Sequence, residues 1–341
     1  MTQNPDTNAR RPAIDALPPA RWAEVRSRVA DLIPDTPCVR SPDLEECYGT
    51  EVWLKHENLQ RTGSFKVRGA IANITALAPE ERTAGVVACS SGNHGRAVAW
   101  VAGQLDVQAT VFVPEWVDPV KLAGMRADGA DVRLVGTTYD EAAAAAWAEV
   151  EQSGRPFVHP FDDADVAMGQ GTAAMEILDV VPDMARLVVC LSGGGLAGGM
   201  AAALRAHASN AEVVAVSANR ARVMFESVRA GHPLELTEEE TVASALSGGI
   251  ELENQVTFDL VQRLVDRHLV VEESAITSAM GVSVRHLHTA VEGGGAVGLA
   301  ALLEGMLEPI DGPTVVVLSG GNVDPVRLAR IVNAEAVPNA P

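Results

Sequence analysis

Lysine is scarce: the 341-residue chain has only Lys55, Lys66 and Lys121. Chemistry that needs a lysine amine is therefore confined to three positions. Basic residues as a whole are outnumbered, and a formal net charge of −19 opposes nucleic acid or an anionic membrane, since either encounter would begin in like-charge repulsion. No apolar run reaches the roughly 18 uncharged residues of a membrane helix. The opening MTQNPDTNARRPAIDALPP lacks the apolar core of a secretory signal, so a cytoplasmic protein is expected. Cys38, Cys47, Cys89 and Cys190 show no Cys-x-x-Cys spacing. Cys89 and Cys190 end apolar strand-like runs, where reduced, structural thiols are ordinary.

What the chain does have is alternation. After a polar, proline-rich arm over residues 1–20, expected to be disordered, short β-rich runs alternate with alanine-rich helical stretches. The runs are VWLKHE, VVACS, ATVFVP, DVRLVG, RLVVCLSGG, EVVAVSA and TVVVLSGG. Helices are expected over 93–104, 118–128 and 140–153, with Asp or Asn near their starts as caps. The pattern predicts an α/β fold with parallel sheets and helices on both faces. Its length suits two lobes. Alternation within VWLKHE turns Lys55 away from the apolar face.

In such folds ligands collect at the carboxyl ends of the strands. The segments there are CSSGNHG (89–95), HPFDD (159–163), SGGGLAGG (192–199) and SGGN (319–322), with NLQRTGSFKVRGA (58–70) after the first run. SGGGLAGG lies between a strand and a helix, where backbone amides and a helix N-terminus can cradle a phosphate. It also matches G-x-G-x-x-G from Gly193 to Gly198, so a dinucleotide site and a plain packing turn stay open. The dinucleotide reading lacks its acidic residue, because the strand VVAV is followed by Ser217. Lys66 follows a Gly-Ser turn at a helix start, where desolvation and the helix N-terminus both disfavour the ammonium form; a solvated surface lysine is the bland alternative. SSGNHG offers a nest for a carboxylate, or simply a helix cap.

Together these ordered motifs, with GQGT, VEGGGAVGLAA and LSGGN, resemble the fold-type II pyridoxal-phosphate enzymes, tryptophan synthase β-like in fold, and most closely the threonine/serine dehydratase and serine racemase group. The likeness runs from about Arg21 to Leu328. It implies a large cofactor-binding domain of residues 21–58 plus 156–341 and a small mobile domain of 59–155. It implies that Lys66 carries pyridoxal 5'-phosphate as a Schiff base beside Phe65 and acts as general base. Ser192, Gly193, Gly194, Gly195 and Leu196 would line the phosphate loop, Asn93 would bond the cofactor's 3-hydroxyl, Gly249 would also touch the cofactor, and Ser319 would face the pyridine nitrogen. A serine there leaves that nitrogen largely neutral, which favours β-elimination. Ser90, Ser91, Gly92, Asn93 and His94 would hold the substrate carboxylate. Phe161, Asp162 and Ser247–Ile250 would shape the side-chain pocket.

The implied activity is removal of the β-hydroxyl of L-threonine or L-serine, giving a 2-keto acid and ammonia. Ser91 matches the acid-base residue of serine racemases, so racemisation is an alternative; β-replacement is another. AVSANRARVM and SALSGGIELENQVTF resemble the dehydratases of hydroxyectoine-utilisation clusters, which makes hydroxyectoine or a bulkier β-hydroxy amino acid a further candidate substrate. Metal-dependent relatives carry carboxylates where this chain has Ser217 and Arg222, so no metal is expected. The chain ends soon after SGGN, so no C-terminal regulatory domain is expected, and a homodimer is the expected assembly. A nucleotide-dependent oxidoreductase and a non-catalytic binding protein of the same fold are the rivals from other classes.

Overall fold

The computed structural model describes residues 15, 17–117 and 119–334. Nine strands form two sheets: β1 (Cys38–Arg40), β2 (Val52–Lys55), β3 (Val86–Cys89), β4 (Ala109–Val113), β5 (Asp131–Leu134), β6 (Arg186–Cys190), β7 (Glu212–Ala218), β8 (Arg267–Val271) and β9 (Thr314–Val317). The larger sheet runs β1-β2-β9-β6-β7-β8 and the smaller β3-β4-β5. All pairings are parallel except β1 with β2, which is antiparallel.

Each of the seven apolar runs forms a strand, while β1 and β8 come as additions. β1 has only three residues, and β8 hides its apolar character behind Arg267 and His268. In β3, Val86 and Ala88 pack into one core with Val67, Ile71 and Val98, whereas Val87 and Cys89 meet Phe112, Ala142 and Ala146 on the other face. A strand covered on both faces must be apolar throughout, which is why VVAC shows no polar alternation.

Local signals set the helix ends. Helix Tyr139–Ser153 begins where the Thr138 hydroxyl accepts from the Glu141 amide at 3.2 Å and the Glu141 carboxylate accepts from the Thr138 amide at 3.1 Å, a reciprocal cap. It stops at Gly154, whose φ of +70° favours a residue without a β-carbon. The other expected helices span Asn93–Gln104 and Pro119–Ala127; Asp118 lies outside the described residues.

Two expectations are corrected. Most of the arm, 1–14 and 16, lies outside the described residues, but its end is anchored: Leu17 is buried in the main core and Pro19–Arg21 forms a 3-10 turn. Lys55 does not point to solvent, because β2 is an internal strand of the sheet. Its amine is fully buried, paired with Glu176 and donating to the Thr36 carbonyl at 2.8 Å. Beside it, Arg68 donates to Glu57 at 2.7 and 2.8 Å and to Glu176 at 2.8 Å. The two carboxylates outweigh burial and hold the Arg68 guanidinium above its ordinary range. Two cations and two anions thus form a neutral buried quartet joining β2, the segment after it, helix Lys66–Ala76 and helix Ala164–Val180.

Candidate active site

β2, β9 and β6 are adjacent and parallel, so the segments leaving their carboxyl ends meet. After β2 the chain turns through Gly63, at φ +76°, where a β-carbon would lie 2.3 Å from Asn322 Oδ1. Ser64 bridges Gly320, and the Phe65 amide donates to the Ser319 carbonyl at 3.1 Å. The turn carrying Lys66 is thereby tied to SGGN. Lys66 opens helix Lys66–Ala76, which sits so tightly on helix Ala164–Val180 that a β-carbon on Gly69 would be 2.4 Å from Gln170 Nε2. The Lys66 amine donates to the Pro160 carbonyl at 2.6 Å and lies 5.3 Å from the Phe65 ring centre. Burial pulls its pKa down to about 8, because a desolvated ammonium is costly.

β6 delivers SGGGLAGG. Gly194 sits at φ +85° and caps helix Gly195–Ala206, whose first amides have no acceptors within the helix. A β-carbon on Gly193 would lie 2.3 Å from the Phe161 ring, so Phe161 is packed flat against the glycine loop. The Ser192 hydroxyl donates to the Leu246 carbonyl at 2.9 Å, fixing the segment that contains Gly249. No atom lies within 4 Å of a β-carbon on Gly249.

Asp162 is not free to contact a ligand. Its carboxylate accepts from the Val256 and Thr257 amides at 2.8 and 2.9 Å, capping helix Thr257–Leu264 from a distant loop. Its own amide donates to His159 Nδ1 at 2.7 Å, and His159 Nε2 lies 3.1 Å from Glu251 Oε1. An imidazole that accepts at Nδ1 carries its proton on Nε2 and donates it to Glu251. Sequence reasoning missed this His159–Glu251 contact. The one visible signal was the histidine in HPFDD.

SSGNHG leaves β3 and enters helix Asn93–Gln104. Ser90 and Ser91 are half-buried, and the Ser90 hydroxyl accepts from the Gly92 amide at 3.2 Å. Asn93 Nδ2 donates to Glu292 Oε1 at 2.6 Å, and Asn93 Oδ1 accepts from Asn322 Nδ2 at 2.7 Å. The His94 ring is buried and bonds the Val158 carbonyl at 2.8 Å. Burial and the nearby Lys66 amine hold its pKa down to about 3, and Nδ1 has no partner. A neutral ring turned inward cannot grip a carboxylate, so only the His94 backbone remains available at the helix start. Ser319 is buried, its hydroxyl 3.3 Å from the Cys190 thiol.

The cleft thus joins one amine of depressed pKa, two helix N-termini that suit anions, and buried polar groups around Ser319 and Asn93. Ser64 Oγ, next to Lys66, is buried without a partner. Among the described residues no cluster of three His, Cys, Asp or Glu side chains is arranged for a metal ion. Arg222, where carboxylates were considered, donates to the side chain and carbonyl of Asn219.

The model of the family described as "Pyridoxal-phosphate dependent enzyme" matches residues 29–320. A putative threonine dehydratase of Sinorhizobium fredii is 39% identical over 308 residues, covering 90% of this chain and 93% of that protein. The L-threonine ammonia-lyase of Geobacter sulfurreducens is 38% identical over 316 residues, or 93% of this chain and 78% of that protein. Among solved structures, maize serine racemase superposes with a TM-score of 0.86 at 30% identity, covering 94% of this chain and 97% of that one. With a family model spanning most of its length, and relatives up to 39% identical over nine-tenths of it, the chain belongs to the pyridoxal-phosphate-dependent enzymes.

Proposed function

We propose that the protein is a pyridoxal-phosphate-dependent ammonia-lyase that removes the β-hydroxyl of a small hydroxy amino acid, L-threonine or L-serine, to give a 2-keto acid and ammonia. The observation that carries this reading is the half-buried Lys66, whose amine donates to the Pro160 carbonyl at 2.6 Å and is drawn down to a pKa of about 8 by desolvation. The names of the relatives support the choice of substrate class.

The residues fit the cofactor. Lys66 offers the amine for covalent attachment, and the amides from Ser192 to Leu196 at a helix N-terminus suit its phosphate. Phe65 and Phe161 supply apolar contact, and Ser319 supplies a neutral partner for the ring nitrogen. Bound pyridoxal phosphate supplies an electron sink for the pair left by the departing α-proton. Lys66 then acts as general base, its lowered pKa leaving a useful free-amine fraction near neutral pH. The amides of Ser90, Gly92, Asn93 and His94 orient the substrate carboxylate by charge-assisted bonds. The α-C–H and β-C–O bonds break, the hydroxyl leaves as water, and the released enamine hydrolyses to keto acid and ammonia.

Serine racemisation is the second reading, favoured by the half-buried Ser91 in the loop facing the cleft and by the likeness to a serine racemase structure. We further propose that residues 59–155 move as a small domain against 21–58 plus 156–341, closing the Ser90–His94 loop over substrate and excluding water. A cytoplasmic homodimer is the proposed setting. Action on hydroxyectoine rests on two peripheral segments and is left to assay.

The deciding experiment supplies the cofactor-loaded protein with L-threonine, L-serine, D-serine and hydroxyectoine separately, following keto acid, substrate loss and serine chirality. Keto acid from threonine or serine is expected. Inert amino acids with consumption of hydroxyectoine would overturn this choice of substrate. The phosphate loop has its own test. Gly193→Ala should weaken cofactor binding by at least about tenfold, because the new methyl must displace Phe161 or the loop, and roughly 1.4 kcal/mol corresponds to tenfold in affinity. Absorbance titration of the cofactor-free variant reads this, and unchanged affinity would remove Gly193 from the cradle.

A further inference from the structure

Glu292 occupies the residue before helix Gly293–Leu303, where a side chain ordinarily caps its own helix, yet it makes no such bond. Its carboxyl instead accepts from Asn93 Nδ2 at 2.6 Å, 199 residues away in sequence. The backbone is built to put it there. The Glu292 amide donates to the Gly320 carbonyl at 3.0 Å, and a β-carbon on Gly320 would sit 2.1 Å from Glu292 Oε1. A β-carbon on Gly293 would meet the Val242 carbonyl at 2.3 Å, and one on Gly295 the Gly320 carbonyl at 2.5 Å. The glycine-rich helix start is therefore pressed between two segments, and SGGN leaves room for this carboxyl.

The consequence falls on Asn93. Its Oδ1 is taken by Asn322, which also donates to the Thr62 carbonyl at 2.9 Å, so the amide cannot flip without losing both bonds. One Nδ2 proton goes to Glu292. The other is left to donate, and the amide presents a donor rather than an acceptor.

We infer that Glu292 is a positioning residue: it locks Asn93 so that its remaining N–H meets the cofactor's 3-oxygen, and its charge is felt by the bound cofactor. This rests on the proposed reading that Asn93 faces that oxygen. Burial raises the Glu292 pKa to about 7, opposed by the Asn93 bond and by Lys121 on helix Pro119–Ala127. The Cys190 thiol at the end of β6 feels its charge, Lys66 interacts with Cys190 in turn, and Arg96 donates to Asn322 at 3.2 Å and acts on Asp128. Glu292 therefore changes charge near neutral pH. When ionised, it makes loss of a proton from the bound cofactor harder, because a negative neighbour favours the protonated form.

The test is a pH titration of the bound cofactor's visible absorbance in Glu292→Gln and Glu292→Ala holoenzyme, with cofactor affinity measured alongside. Glutamine keeps the acceptor for Asn93 without the charge. It should hold affinity within about threefold while lowering the titration midpoint by roughly half a pH unit, whereas alanine should cost about tenfold in affinity. Cofactor-free protein gives an independent readout. A carboxyl whose pKa rises from 4.5 to about 7 on folding adds stability at low pH that is lost as pH climbs through 7, and Glu292→Gln should remove that part of the slope. If alanine does not fold, glutamine alone decides. A glutamine midpoint equal to wild type overturns the inference, as does equal loss of affinity in both variants. Because no substrate is added, a protein that binds cofactor but turns over no amino acid would sink the proposed reaction and leave this result standing.

Discussion

Lys66→Ala should abolish keto-acid formation, by at least about a thousandfold, in a protein that still folds. The substitution keeps a good helix former at the start of helix Lys66–Ala76, while Val67, Ala70 and Ile71 go on holding that helix in the core. No other lysine can take its place. Lys55 is locked against Glu176 and the Thr36 carbonyl, and Lys121 is exposed on a separate helix. The visible absorbance of covalently held cofactor should vanish with the activity. The amine's environment adds a pH signature: cofactor-free wild type should capture pyridoxal phosphate with a rate that rises through a midpoint near 8, not the ordinary 10.5, since only the unprotonated amine attacks. Rapid-mixing absorbance measures this. Activity within tenfold of wild type in the alanine variant would remove Lys66 from the mechanism.

Arg68→Met should lower stability by about 3–5 kcal/mol, the usual cost of breaking a buried ion pair from one side. Arg68 and Glu57 are fully enclosed and Glu176 nearly so. Methionine fills much of the volume but leaves two carboxylates facing one cation, Lys55. Denaturant unfolding of cofactor-free protein at neutral pH gives the number, and acidification should recover part of it as the surplus carboxylate takes up a proton. Arg133→Met is the contrast. Its side chain is 43% exposed, and surface pairs of this kind contribute about 1 kcal/mol or less. Equal effects at the two positions would show that the quartet is solvated in solution. Because Arg68 lies two residues beyond Lys66 on one helix, its loss should also disturb the catalytic amine.

Strand-forming runs and the glycine-rich segments after them were legible without a structure. An apolar run of β-formers specifies its own geometry locally, seven of the nine strands fall on such runs, and Ser and Gly follow closely after β3, β6 and β9. The scarcity of lysine narrowed a candidate nucleophile to three positions, of which only Lys66 follows a Gly-Ser turn, and the family resemblance chose among them. The short antiparallel β1 and the polar-fronted β8 carried too little local pattern to be read.

What the local pattern could not settle was where side chains point once distant segments meet. Lys55 looked outward because strand alternation presumes one wet face, but β2 lies inside the sheet with both faces covered. The His94 ring turns inward to the Val158 carbonyl, a contact that no local pattern announced. Asp162 looked like pocket lining but is spent capping the helix at Thr257. Glu292 stood inside the VEGGGAVGLAA motif without a visible role, since its partner Asn93 is 199 residues away. The sequence by itself determined most of the elements, the parallel character of the sheets and a short choice of lysines, because propensity, turn chemistry and composition act over a few residues. Only the tertiary structure decided which polar groups are consumed in holding the cleft and which stay free to act, because hydrogen bonds and burial between remote segments exist only after the chain has closed on itself.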